Sequence, residues 1–310
     1  MDIINVTIFG IHLTLKPIAF TIPIAGGWDV YWYGIIIALG FLLALFYGIK
    51  NAERLNINTD RLLDAVIVVV PVSILCARAY YVIFDGEPIH SIKDFFGFSG
   101  SSGFSGIAIY GGVIGAFVSG ALMCKLRKLN IPDTFDLTAI GFLIGQGIGR
   151  WGNFVNQEAY GTFTNSSFWG MQSDRTIAEM GEGLVHPCFL YESIWCLTGF
   201  LILHHFSKKR KFSGQIFLMY CIWYGFGRGF IELLRTDSLG VNIRVSSLLS
   251  FVLCITASVL LIYFLRKIKI NSSNENYIKV FASEEDSEKN ETENTESNSI
   301  AEDHEDEQNN

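Results

Sequence analysis

The chain has 310 residues, 50% of them hydrophobic and 14% aromatic, with only 17% charged. Soluble domains carry about a quarter charged residues, so the composition argues against an ordinary soluble globule. The formal net charge of −7 belongs to one end: residues 271–310 hold 13 Asp and Glu with two Lys, whereas the rest carries 21 Lys and Arg against 17 acidic residues.

The opening MDIINVTIFG lacks the basic stretch of a signal peptide, so cleavage is not expected. A membrane-spanning helix needs about 20 largely apolar residues. Residues 30–49 meet that directly, and residues 62–84 meet it apart from Asp64 and Arg78. Residues 95–124 are uncharged, although their first half is rich in Gly and Ser. Residues 137–149 form a short fourth segment that ends on Arg150. Residues 188–207 hold the single charge Glu192, residues 212–231 the single charge Arg228, and residues 246–265 none. Backbone groups in lipid must bond internally, so consecutive apolar spans imply helices. The alternation of an outer-membrane barrel is missing. The expected fold class is an all-α polytopic membrane protein, a bundle of about seven transmembrane helices over residues 1–270. Residues 271–310 are expected to be an acidic, disordered tail.

Orientation follows from the placement of Lys and Arg. Lys50, Arg54, Arg61, Lys125, Arg127, Lys128, Lys208 to Lys211, Arg266, Lys267 and Lys269 fall at alternate ends of the spans, thirteen in all, against six on the other side. This predicts the N-terminus outside, the C-terminus in the cytoplasm, and residues 150–187 on the outer face. The six cysteines form no CxxC pair, so neither a zinc ribbon nor a thioredoxin-like site is indicated. Nothing in the charge pattern calls for nucleic acid.

Ionisable groups within a bilayer are functional candidates by default. The densest polar cluster is GFLIGQGIGRWGNFVNQEAYG (141–161), with Arg150, Asn153, Asn156, Gln157 and Glu158 set between glycines. Glycine permits sharp turns and close backbone approach, and guanidinium and amide donors suit phosphate or carboxylate oxygens. Gly147, Gly149 and Gly152 spell GxGxxG, but no strand precedes them, so a dinucleotide fold is rejected. A second cluster lies in WYGFGRGFIELLR, where Tyr224, Arg228 and Glu232 are spaced by four and share a helical face. Gly225, Gly227 and Gly229 there serve either to open room beside Arg228 or to pack helices. Gly111, Gly115 and Ser119 form a small-residue stripe that reads as a packing face, with Tyr110 at its outer end. Tyr31, Trp32 and Tyr33 read as an interfacial belt. Asp136 begins the fourth span as an N-cap or an orienting carboxylate. HPCFLYE (186–192) opens the fifth span, with His186 just before it. Span order places Tyr33, Tyr110, Arg150, Asn153, Glu158, His186, Arg228 and Glu232 in the outer half of the bundle. The result is a cationic pocket suited to a lipid phosphate.

The same residues carry a family resemblance. GRWGNFVNQEAYG (149–161) resembles the signature of prolipoprotein diacylglyceryl transferases, G-R-x-G-N-F-x-N-x-E-x-x-G, which includes Gly161. HPCFLYE is similar to that family's H-P-[ST]-x-L-Y-E, and WYGIIIALGF, IYGGVIGA and YGFGRGFIELLR follow in the family's order. The resemblance covers about residues 17–267 and excludes the acidic tail. It implies a multi-pass enzyme of the bacterial cell membrane. The enzyme would transfer the diacylglyceryl group of phosphatidylglycerol to the lipobox cysteine in the signal peptide of a preprolipoprotein, releasing glycerol 1-phosphate. No cofactor or metal is called for.

On this reading Arg150 and Arg228 bind phosphate, Asn153 and Asn156 hydrogen-bond the head group, and Glu158 and Glu232 orient the arginines or accept a proton. Tyr33, Asp136, Gly161 and Tyr224 belong to the substrate-binding set. Many members have His where this chain has Tyr110. An ordinary Tyr, titrating near about 10, is a poor base at neutral pH. Either Tyr110 only hydrogen-bonds, or the proton leaves through Glu158, His186 or water. Cys188 replaces the family's Ser or Thr. The competing function is a transporter or binder of an anionic lipid head group. It predicts inverted repeats, which the sequence does not show.

Overall fold

The structure, a computed structural model, describes residues 3–23, 27–85, 95, 108–236 and 245–271. The expected tail beyond residue 271 and residues 96–107 of the third expected span lie outside the described residues. The chain divides into two compact units, one formed by residues 1–59 and 133–270 and the other by residues 60–132 and 271–310.

The larger unit begins with strands. β1 (Ile4–Ile8) pairs antiparallel with β2 (Ile11–Leu15) and, on its other edge, with β5 (Met171–Ser173). The connecting Phe9 and Gly10 both have positive φ, 49° and 76°. That geometry matches the right-handed twist of the flanking strands and is typical of two-residue hairpins. β3 (Ile18–Ile22) and β4 (Trp28–Tyr31) form a second antiparallel pair that runs directly into the first helix. The all-α expectation therefore needs correction over the first thirty residues and at 171–173. The reason is local: alternating apolar and polar residues around a two-residue turn favour strand pairing over a helix.

The rest is helical. The larger unit holds α1 (Trp32–Ala52); the smaller holds α2 (Thr59–Asp85) and α3 (Ile109–Leu126). The larger unit continues with α4 (Ile131–Asn156), the short α5 (Asp174–Met180), α6 (Cys188–Ser207), α7 (Gln215–Leu234) and α8 (Val245–Asn271). Four of these helices, α1, α2, α3 and α8, are long and apolar enough to cross a membrane. They turn large apolar side chains outward: Phe46, Ile67, Ile83, Val118, Ile255 and Val259 are each more than 60% exposed. In water such a surface would be a liability, whereas in lipid it is the solvent-facing side. α4, α6 and α7 are similarly long but carry the polar residues considered below.

In the larger unit, small residues set the helix crossings. Gly40 of α1 lies against the Gly145 carbonyl and Ile148 of α4, and Ser193 of α6 donates to the Gly147 carbonyl of α4 at 2.7 Å. α6 and α7 meet through a reciprocal tryptophan pair. Trp195 and Trp223 stack at 4.3 Å, and each indole N–H donates to the other's carbonyl, at 2.9 and 3.0 Å. In each helix the residue four positions on is glycine, Gly199 or Gly227. A Cβ there would stand 2.3 or 2.1 Å from the visiting indole nitrogen.

In the smaller unit, Gly111 and Gly115 of α3 lie against Cys76 and Tyr80 of α2, so the expected packing stripe is one. Asp64 pairs with Arg127 at 3.4 Å, and Arg78 donates to the Phe95 carbonyl at 2.8 Å.

Candidate active site

The fourth expected span proves longer than its apolar stretch. α4 carries most of the glycine-rich signature as helix and ends at Asn156, so Arg150 and Asn153 project from consecutive positions along one helical side. The glycines make no sharp turn there. Gly152 instead gives space to an aromatic ring: a Cβ on it would stand 2.8 Å from the ring of Tyr33 at the start of α1. The turn comes just after, where two non-glycine residues, Gln157 (φ 52°) and Ala159 (φ 58°), take left-handed backbone. Such conformations cost on the order of 1–3 kcal/mol and persist only where the surroundings impose them. Here the Gln157 and Glu158 amides close back on the Phe154 and Asn153 carbonyls, at 3.2 and 3.0 Å.

That turn rests on a firm floor. Val6 and Ile8 of β1, Phe154, Tyr160, Met171, Val185 and Phe189 form one buried cluster beneath it. Gly161 follows the turn and sits among three segments. Its amide donates to the His186 carbonyl at 2.9 Å, and a Cβ would stand within 2.9 Å of His186, Cys188 and the Leu234 carbonyl. No larger residue fits without moving one of them.

The centre of the site is a carboxylate that sequence reasoning assigned no role. Glu192 of α6 is 2% exposed and accepts hydrogen bonds from two arginines on two other helices. Arg150 of α4 reaches its Oε1, and Arg228 of α7 reaches its Oε2 at 2.9 Å. Arg228 also pairs with Glu232 at 2.7 Å, as the spacing of four predicts, and Arg235 approaches the same carboxylate at 3.8 Å. Ser246 of α8 donates to Glu232 at 2.9 Å. Arg150 donates to Asn153 Oδ1 at 3.3 Å, and Asn153 Nδ2 donates to Glu158 at 2.8 Å. A chain of polar contacts thus runs from Glu158 through Asn153, Arg150, Glu192 and Arg228 to Glu232. The signal for Glu192 was available: it is the lone charge in a twenty-residue apolar stretch.

Tyr224 stands one turn before Arg228 and stacks on Tyr220 at 5.7 Å, whose hydroxyl accepts from Gln146 of α4 at 2.9 Å. His186 lies at the approach to α6. Its Nδ1 is 3.2 Å from the Tyr191 hydroxyl, which accepts from the Trp169 indole N–H at 2.7 Å. Burial pushes the His186 imidazole below its ordinary value of 6.5. Asn156 ends α4, and its carbonyl accepts from Arg175 at 3.1 Å.

Two further expected site residues lie on other stretches of helix. Asp136 is fully buried near the opposite end of α4, about 21 Å from Arg150 at 1.5 Å per residue. It accepts from Arg210 at 2.9 Å and from the Gly214 and Phe217 amides at 3.0 and 2.8 Å. It lies six residues into α4, so it is not the N-cap of that helix as expected, and its carboxylate instead binds the backbone at the start of α7. Tyr110 is the second residue of α3 and belongs to the smaller unit. The glycines beside Arg228 also resolve. Gly225 and Gly229 face Ser250, Cys254 and Phe251 of α8, and Gly227 faces Trp195, so they pack helices and do not open a pocket.

A largely helical protein with several membrane-length apolar helices belongs to the class of multi-pass membrane proteins. Residues 17–263 match the prolipoprotein diacylglyceryl transferase family. A phosphatidylglycerol–prolipoprotein diacylglyceryl transferase of Bacillus licheniformis is 42% identical over 261 residues, covering 80% of this chain and 92% of the relative. One from Clostridioides difficile is 38% identical over 263 residues, covering 84% and 100%, and one from Limosilactobacillus reuteri is 41% identical over 267 residues, covering 82% and 92%. The chain belongs to the prolipoprotein diacylglyceryl transferase family and is a transferase.

Proposed function

We propose that this protein moves the diacylglyceryl group of phosphatidylglycerol onto the lipobox cysteine of a preprolipoprotein in the bacterial cell membrane. The observation that carries the site assignment is the pair Arg150 and Arg228 held on Glu192. In the reaction the substrate thiol loses its proton and its sulfur attacks the glyceryl carbon that bears the phosphate. A C–S bond forms, the C–O bond breaks, and glycerol 1-phosphate leaves with the electron pair. Charge grows on the departing phosphate, where fixed guanidinium donors stabilise it most. Glu192 and Glu232 hold those guanidiniums in place before the substrate arrives, which limits reorganisation during the step. Asn153 and Asn156 bind the head group, Tyr33 and Tyr224 line the pocket, and the proton leaves through Glu158, His186 or water.

Seven helices of 18 residues or more, α1 to α4 and α6 to α8, are the proposed spans. The Lys and Arg bias orients them with the N-terminus outside and the acidic residues 271–310 in the cytoplasm. This brings the signature turn to the outer leaflet, where an exported substrate emerges. The test incubates purified protein with labelled phosphatidylglycerol and a lipobox peptide. Label on the peptide, with glycerol phosphate released only when the peptide cysteine is present, supports the assignment. Head-group binding without peptide lipidation overturns it in favour of a binder or transporter.

A further inference from the structure

The strained turn after α4 is closed from outside by side chains that the proposed reaction does not use. Arg175 and Glu179 are one turn apart on α5 and pair at 2.8 Å, Arg175 Nε to Glu179 Oε1. The Nη1 of Arg175 donates to the Asn156 carbonyl at 3.1 Å. The other carboxylate oxygen of Glu179 accepts from the Tyr160 hydroxyl. The bridge thus starts at residue 156 and ends at residue 160, spanning the five-residue stretch that contains both left-handed residues and Glu158 between them.

Both ends of the bridge are anchored. The Asn156 carbonyl is one of the unpaired acceptors at the end of α4, where a cation is favoured by the helix dipole. Tyr160 is 5% exposed and packs in the cluster with Val6, Phe154 and Met171. α5 itself is set by a reciprocal cap: Ser173 accepts from the Thr176 amide at 3.1 Å, and the Thr176 hydroxyl accepts from the Ser173 amide at 2.8 Å. Asp174 fastens the start of α5 to β1 through the Asn5 amide at 2.8 Å. An isolated exposed Arg–Glu pair contributes little to stability. This pair holds closed a backbone turn that is unfavourable by itself.

We infer that Arg175 and Glu179 form a positioning strap that holds the Asn156–Tyr160 turn, and with it the Glu158 carboxylate, against Asn153. The inference rests on the reaction proposed above only for its catalytic readout. Arg175 and Glu179 are positioning residues: they set where Glu158 stands and touch neither arginine of the phosphate site in the contacts described.

The test uses the full chain in detergent, with Arg175→Ala, Glu179→Gln and Tyr160→Phe. Hydrogen exchange reads the Gln157 and Glu158 amides, and each variant is expected to speed their exchange while the melting midpoint stays at the wild-type value. Misplacement of a reacting group by about 1 Å costs up to about a hundredfold, so kcat is expected to fall about ten- to a hundredfold with the phosphatidylglycerol KM unchanged. Arg175→Ala added to Glu158→Gln is expected to cause no further loss, because the carboxylate it positions is already gone. Unchanged exchange at both amides overturns the strap, and so does a full multiplicative loss in the double variant. Exchange needs no substrate, so it decides the strap even if the wild-type chain transfers nothing, a result that would overturn the reaction instead.

Discussion

Glu192 shows how one buried charge organises others. Two guanidiniums from α4 and α7 share it, so removing its charge leaves like charges facing each other in a site that excludes much of the solvent. Breaking a buried pair this way costs about 3–5 kcal/mol. Glu192→Gln is expected to lower the melting midpoint in detergent and to lower diacylglyceryl transfer at least as much as Arg228→Ala; a variant with wild-type melting and transfer removes Glu192 from the site. His186 gives a pH signature. Its folded-state value lies below 6.5, so between those two values the unfolded chain binds the proton that the folded chain refuses. Its contribution to stability is flat above pH 6.5 and falls as pH drops below it. A melting series across that range should show a decline that His186→Gln removes. At this scale the arginines, Asn153, Glu158 and Glu232 were legible in sequence, because charge inside apolar stretches has few uses. The partners of Asp136 were not, because Arg210 and the Gly214 and Phe217 amides lie more than 70 residues away in sequence and only the position of α7 brings them to it.

Helix crossings here depend on where an indole can reach a carbonyl. W-x-x-x-G occurs at 195–199 and again at 223–227, and the two halves complete each other across α6 and α7. Overpacking a tight site costs about 1–3 kcal/mol, so Gly227→Ala is expected to lower the melting midpoint and to separate Arg228 from Glu192. Gly48→Ala is the contrast: a Cβ there meets nothing within 4 Å, and alanine favours the helix by about 1 kcal/mol. A higher midpoint for Gly48→Ala with a lower one for Gly227→Ala confirms that contact, not helix propensity, governs α7. The long helices were readable from runs of uncharged residues. The extra length of α4 was not, because Asp133, Asp136 and the polar signature interrupt its apolar count. The strands of the first thirty residues escaped for a different reason: the apolar count that finds spans is blind to period-two alternation.

For the whole molecule, the proposed topology makes a direct prediction. Single cysteines placed at residue 182 and at residue 285, in a chain otherwise free of cysteine, should label from opposite sides of intact cells with a membrane-impermeant maleimide. Labelling of residue 182 only after permeabilisation would reverse the orientation argued from Lys and Arg. Removing residues 272–310 should leave transfer at the wild-type rate, since the family match ends at residue 263. Lost transfer with retained melting would give the acidic segment a role in the reaction.

Composition and charge placement alone determined that the chain has helices of membrane length and which short polar segments interrupt its apolar stretches. They could do so because water and lipid impose rules on each residue independently of its neighbours. Tertiary structure decided which of those residues meet. It placed Glu192 between Arg150 and Arg228, sent Asp136 to cap α7, and turned the glycines beside Arg228 into packing sites. Those outcomes depend on contacts between residues tens of positions apart, and no local pattern records such distances.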